Sequence, residues 1–183
     1  MRRFASVLLL LVGLLAADAF ALTPDEAYAA IPHRRIAFDP AASTLPKPQA
    51  EALKRLFALS DQGVVLRVEG MRAVRTGNGA GAARVLAQYD TLLVSLRALP
   101  VAPEIAGVRN LVAEAVDDQR RFLAGKRAET YGFASRELAS APDVRQASEK
   151  LKRAYDMLLK AFPNEQRRNK DAFFDHLCAL DYL

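Results

Sequence analysis

Tryptophan is absent from this chain of 183 residues, cysteine occurs once and histidine twice. Each shortage removes a class of chemistry. Cys178 has no partner for an intramolecular disulfide, and no CxxC or CxxCH is present, so thioredoxin-like and covalent c-type haem readings lack their ligands. His33 and His176 belong to no HExxH, which removes the zinc hydrolases of that type. No serine sits in a G-x-S-x-G elbow, so a Ser–His hydrolase has no support. The one glycine-rich stretch, residues 76–81, has no Lys-Ser/Thr ending and no preceding strand, and reads as a turn, not a phosphate loop. Isoleucine and threonine are scarce, while Ala, Leu, Arg, Glu, Lys and Gln abound. That balance favours helix over sheet before any pattern is examined.

Long hydrophobic runs are also missing after residue 21. The first 21 residues, MRRFASVLLLLVGLLAADAFA, place Arg2 and Arg3 ahead of an apolar run and end on Ala19-Phe20-Ala21. This is the layout of a secretory signal peptide, with cleavage expected after Ala21. The apolar run is about half the roughly 20 residues needed to span a bilayer. No cysteine stands at the cut, which disfavours a lipid anchor. The expected location is therefore periplasmic, or secreted. Loss of Arg2, Arg3 and Asp18 lowers the formal charge of +5 by one. The remaining charges are well mixed in sign, which gives no nucleic-acid footprint. In an oxidising compartment the lone Cys178 reads as a buried, inert thiol, with an intermolecular bridge as the alternative.

What is present divides into three parts: a signal peptide at 1–21, a short helix with an extended arm at 22–46, and a helical bundle domain at 47–183. Thr23-Pro24-Asp25-Glu26 is a helix start with a capping box, and Pro32 stops that helix near Ala30. A proline-rich arm follows, with Ile36, Phe38 and Leu45 available to pin it. Apolar residues Leu53, Phe57, Val64, Val68 and Met71 recur at helical spacing and predict a helix over 47–75, in which Gly63 and Gly70 mark a bend or a close neighbour. Further helices are predicted over 82–99, from 104 to about 139 with an ambiguous stretch at 125–140, and from 142 to about 162. A last helix over 171–183, DAFFDHLCALDYL, is expected to start from Asn169 as its cap. Two i,i+3 pairs, Asp117 with Arg120 and Asp118 with Arg121, are expected on an exposed face. Short connectors make neighbours antiparallel. The fold expected is all-α: an up-and-down bundle of four long helices plus a C-terminal helix, preceded by the short helix and the arm.

Two sets of residues invite a functional reading. In the last helix Phe173, Leu177 and Leu180 share a core face. His176 sits on its shoulder, bonded to a carboxylate or carbonyl, or else serving as an axial ligand to a haem or metal held in the bundle. Asp171, Asp175 and Tyr182 fall opposite that face and read as solvated. In the arm, His33, Arg34 and Arg35 read as an exposed basic turn or as a grip on a partner's carboxylate or phosphate. The missing motifs point away from catalysis. The sequence thus predicts an exported binding or interaction protein with a protein or small-molecule partner. The alternative is a cofactor-binding bundle using His176.

Overall fold

The Thr23 hydroxyl accepts from the Glu26 amide at 3.3 Å, and the Glu26 carboxylate accepts from the Thr23 amide at 2.7 Å. This capping box starts α1 (Pro24–Ala30) as its spacing predicts. The computed structural model describes residues 22–31, 33–127 and 135–182. The expected leader at 1–21 lies outside them.

Six more helices follow among the described residues: α2 (Lys47–Arg75), α3 (Gly79–Ala98), α4 (Pro103–Arg127), α5 (Ser135–Ser140), α6 (Pro142–Ala161) and α7 (Arg167–Cys178). Among the described residues there is no strand, so the fold is all-α. The bounds of α2 coincide with those set by Pro48 and the glycine-rich break. Helix α3 starts three residues before the expected Ala82, because the Asn78 side chain accepts from the Gly81 amide at 2.9 Å and caps the helix there. Gly77, at φ +66°, supplies the left-handed turn between α2 and α3. The expected continuation of α4 through 125–140 runs into residues 128–134, which lie outside the described set.

Helix α2 packs on α1, α3, α4 and α7, and α4 packs on α3 and most extensively on α6. Helix α7 lies against both α6 and α2, so the two ends of the helix array are joined through the last helix. Gly63 and Gly70 make this possible. A Cβ on Gly63 would stand 2.6 Å from Leu180 Cδ2, and one on Gly70 would stand 2.7 Å from Leu123 Cδ2. The two glycines therefore mark close approach to neighbouring side chains. Phe57, Leu53, Leu56, Leu96, Ile105, Leu158 and Phe173 are enclosed in one core. Each such side chain contributes about 1.5–3 kcal/mol on burial. Met71, Phe122, Val144 and Tyr182 form a smaller second cluster.

Of the two expected surface pairs on α4, Asp118 with Arg121 forms, but around a buried carboxylate, and Asp117 with Arg120 does not. Asp118 is fully buried, accepts from Lys150 Nζ at 2.7 Å, and also pairs with Arg121. Arg120 faces Asp90 at 2.6 Å instead of Asp117, which Arg121 holds at 2.9 Å. Helix geometry allows both i,i+3 and i,i+4 partners, and the neighbouring helix decided between them.

Candidate functional site

Three residues singled out from the sequence, His33, Arg35 and His176, lie where α1, the arm, α2 and α7 meet. Asp61, on α2, is the hub. Its Oδ1 accepts from Tyr28 Oη at 2.9 Å and lies 2.7 Å from His176 Nδ1. Its Oδ2 accepts from Arg35 Nε at 3.1 Å and from Arg35 Nη2 at 2.7 Å. Arg35 Nη1 reaches on to Asp25 Oδ1 at 2.9 Å. The Asp61 side chain is only 5% exposed. Burial alone would raise its pKa, but the hydrogen bonds and charge from His176 and Arg35 outweigh that, and hold the carboxyl below its ordinary range. Burial, and then the neighbouring Asp61, push the Tyr28 hydroxyl far above the ordinary phenol range, so Tyr28 stays a neutral donor.

A second set of contacts ties the arm to α7. His33 Nε2 lies 3.2 Å from the Asp175 carbonyl, and Asp175 Oδ2 accepts from the Ile36 amide at 3.1 Å. Asn169 Oδ1 accepts from the Asp39 amide at 3.0 Å, and Asn169 Nδ2 donates to the Asp39 carbonyl at 3.1 Å. Glu165 accepts from the Ser43 hydroxyl and from the Thr44 amide. Burial would raise the Glu165 pKa, but the bonds from Ser43, Gln166, Thr44 and Asn169 bring it below the usual value. Phe38 from the arm packs between Phe57 and Phe173, at 5.6 and 5.9 Å between ring centroids.

Several expected roles change in consequence. Asn169 is not the cap of α7. The helix begins at Arg167, and Asn169 is buried inside it as a clamp on the arm. Asp175 and Tyr182 are buried, not solvated, because the arm covers a second face of α7 and the α2 side covers Tyr182. Arg34 and Arg35 do not form a joint anion grip. Adjacent residues of an extended chain diverge, and Arg35 spends its donors on Asp61 and Asp25, while Arg34 stays exposed. His176 is bonded to a carboxylate, and its ring lies face to face on Phe57 at 4.8 Å with an 8° tilt. A haem or metal at His176 does not fit this setting. The side chain is 4% exposed, and among the described residues no three His, Cys, Asp or Glu side chains gather as metal ligands. The cluster satisfies itself, and its chemistry is that of a brace.

Open grooves lie elsewhere among the described residues, and two of them bear on function. The first, of about 350 Å³, runs between the end of α1 and the last turns of α2. Ile31, Val68, Met71 and Tyr182 make an apolar floor, and Arg67, Arg72 and Arg75 surround it. Arg67 Nη1 donates to the Ala179 carbonyl at 2.5 Å, and its guanidinium lies 5.0 Å from the centre of the Tyr182 ring. Burial lowers the Arg67 pKa, and the neighbouring Tyr182, Tyr89 and Asp181 offset that only in part. No acidic residue lines this groove among the described residues, and none of its three arginines has an ion pair among them. No sequence motif marks this set: Arg72 and Arg75 fall in the last turn of α2, where cations are common.

The second groove, also about 350 Å³, lies between α6 and α7 and is lined by Leu151, Tyr155, Phe174, Leu177 and Cys178. Cys178 is half-buried here, not enclosed. Burial and then Asp181 raise its thiol pKa, which keeps it a weak nucleophile.

No protein family matches the sequence, and neither the curated proteins nor the solved structures contain a significant match to it. Among the described residues no helix is long and apolar enough to cross a membrane.

Proposed function

We propose that this is an exported, non-enzymatic binding protein whose ligand is an anionic amphiphile, a carboxylate or phosphate head on an apolar body. The observation that carries the reading is the trio Arg67, Arg72 and Arg75 around an apolar floor, in a groove whose described lining includes no acidic residue. A guanidinium removed from water with no carboxylate in direct contact is costly. An anionic head placed between Arg67 and the rim arginines offsets that cost and accepts several charge-assisted bonds. The apolar body then covers Val68, Met71 and Tyr182. A volume of about 350 Å³ falls at the lower end of small-molecule sites, roughly 300–1,000 Å³. Catalysis is the weaker reading, because the titratable cluster around Asp61 is buried and its donors are spent on one another.

Isothermal titration tests this with decanoate and decyl phosphate, against decanol and decylammonium. The anionic probes are expected to bind, more weakly as salt is raised. The double variant Arg72→Glu/Arg75→Glu, at exposed positions, is expected to lose at least about tenfold in affinity, the effect of some 1.4 kcal/mol. Equal binding of decanol, or no binding of either anion, would remove the reading.

A further inference from the structure

Glu69 stands in the last third of α2 and is 8% exposed. Among the described residues no lysine, arginine or histidine pairs with it, and its one hydrogen bond comes from the Leu22 backbone nitrogen at 3.0 Å. A buried carboxylate satisfied by one neutral amide is poorly compensated. The donor, however, is the first residue after the expected signal-peptide cut, and its position is fixed. Leu22 packs against the main core, and Thr23 beside it is locked in the capping box of α1.

We propose that cleavage between Ala21 and Leu22 creates an α-ammonium group that docks on the Glu69 carboxylate. Hydrolysis adds water across the Ala21–Leu22 amide. A carboxylate leaves with Ala21, and the new amine on Leu22 takes up a proton below its pKa of about 7.7–8.0. The neutral donor at 3.0 Å thereby becomes a cationic one, and the bond becomes a charge-assisted ion pair. Processing then does more than release the chain. It fastens α1 to α2 at its first residue, while Tyr28 fastens the same helix to Asp61. The far end of α1, at Ala30 and Ile31, forms one wall of the arginine groove, so the docked terminus also steadies that wall. The inference rests on the export reading and is independent of the ligand assigned to the groove.

Intact-mass measurement on periplasmic protein is expected to give a chain beginning at Leu22; any other first residue overturns the proposal. Melting at about pH 6, where the amine is charged, is then compared for this chain and for the same chain acetylated at Leu22 Nα. The acetylated form is expected to melt about 3 °C lower. In Glu69→Gln, which keeps a hydrogen-bond acceptor, the free and acetylated forms are expected to melt within about 1 °C of each other. Equal melting in the wild type, or the same loss in Glu69→Gln, overturns it.

Discussion

Asp61 and His176 are 115 positions apart in the chain and 2.7 Å apart in space. Between them they join α2 to the last helix, while Tyr28 and Arg35 bring α1 and the arm to the same carboxylate. Removing the carboxylate therefore affects four segments at once. Asp61→Asn is expected to cost about 3 kcal/mol, since it leaves Arg35 and His176 facing a neutral amide. Tyr28→Phe removes only one donor and is expected to cost about 1 kcal/mol. Urea titrations of the two variants check the order, and a larger loss for Tyr28→Phe would show that Asp61 is not the hub.

Acid should weaken the fold through a defined pair of groups. Asp61 and Glu165 both titrate below their ordinary values of 3.8 and 4.5 in the folded state. For a depressed carboxyl, the stability is fully present above the unfolded pKa and is lost as pH falls through the folded one. Stability is thus expected to be level near neutrality and to decline below about pH 4.5. Glu165→Gln is expected to lower the neutral plateau and to make the acid decline shallower. At the other end, Tyr28 titrates above its ordinary 10.0 when folded, so its contribution is present below that pH and fades as alkali is added. Guanidinium unfolding across a pH series measures both limbs.

Gly63→Ala sets two effects against each other. Alanine gains about 1 kcal/mol in helix propensity. Its Cβ, however, would meet Leu180 Cδ2 at 2.6 Å in a site also walled by Leu92 and Val116. Overpacking of this kind costs about 1–3 kcal/mol. A net loss of stability is expected, and a variant that melts higher than the wild type would show that Leu180 yields without cost.

Phe173→Ala should loosen the arm as well as the core. Phe173 is fully buried and touches both Phe38 of the arm and Phe57 of α2. A loss of about 3–5 kcal/mol is expected from the cavity. Backbone amides of Ile36 and Asp39 should also lose hydrogen-exchange protection, because their acceptors Asp175 and Asn169 sit on the same helix. Unchanged protection at those two amides would separate the arm from the aromatic cluster.

The helices were legible because their signals are local. Thr23, Pro24 and Glu26 announced α1, Pro48 and the glycines at 77–81 bounded α2, and Pro163 stood just beyond the end of α6. The site was legible only in part. For His176 the sequence offers a carboxylate or carbonyl partner, or an axial-ligand role, but nothing near it names Asp61. A helical wheel placed Asp175 and Tyr182 away from the core stripe, because a wheel cannot show that an arm will cover a second face. Asn169 has the composition of a cap, and its actual partner, Asp39, is 130 residues away. Arg67, Arg72 and Arg75 become a set only when the end of α1 and the Tyr182 ring complete the groove around them.

The clamp between arm and α7 also dictates an order of events. Ile36 waits for Asp175, which is synthesised 139 residues later. A chain made as far as α3 can already seat Arg35 on Asp61 and Phe38 on Phe57, but the bonds from Ile36 and Asp39 wait for α7. Contacts closed over so long a span form late and slowly. The hold of α7 on the arm is therefore a late step of folding, however early α2 and α3 form.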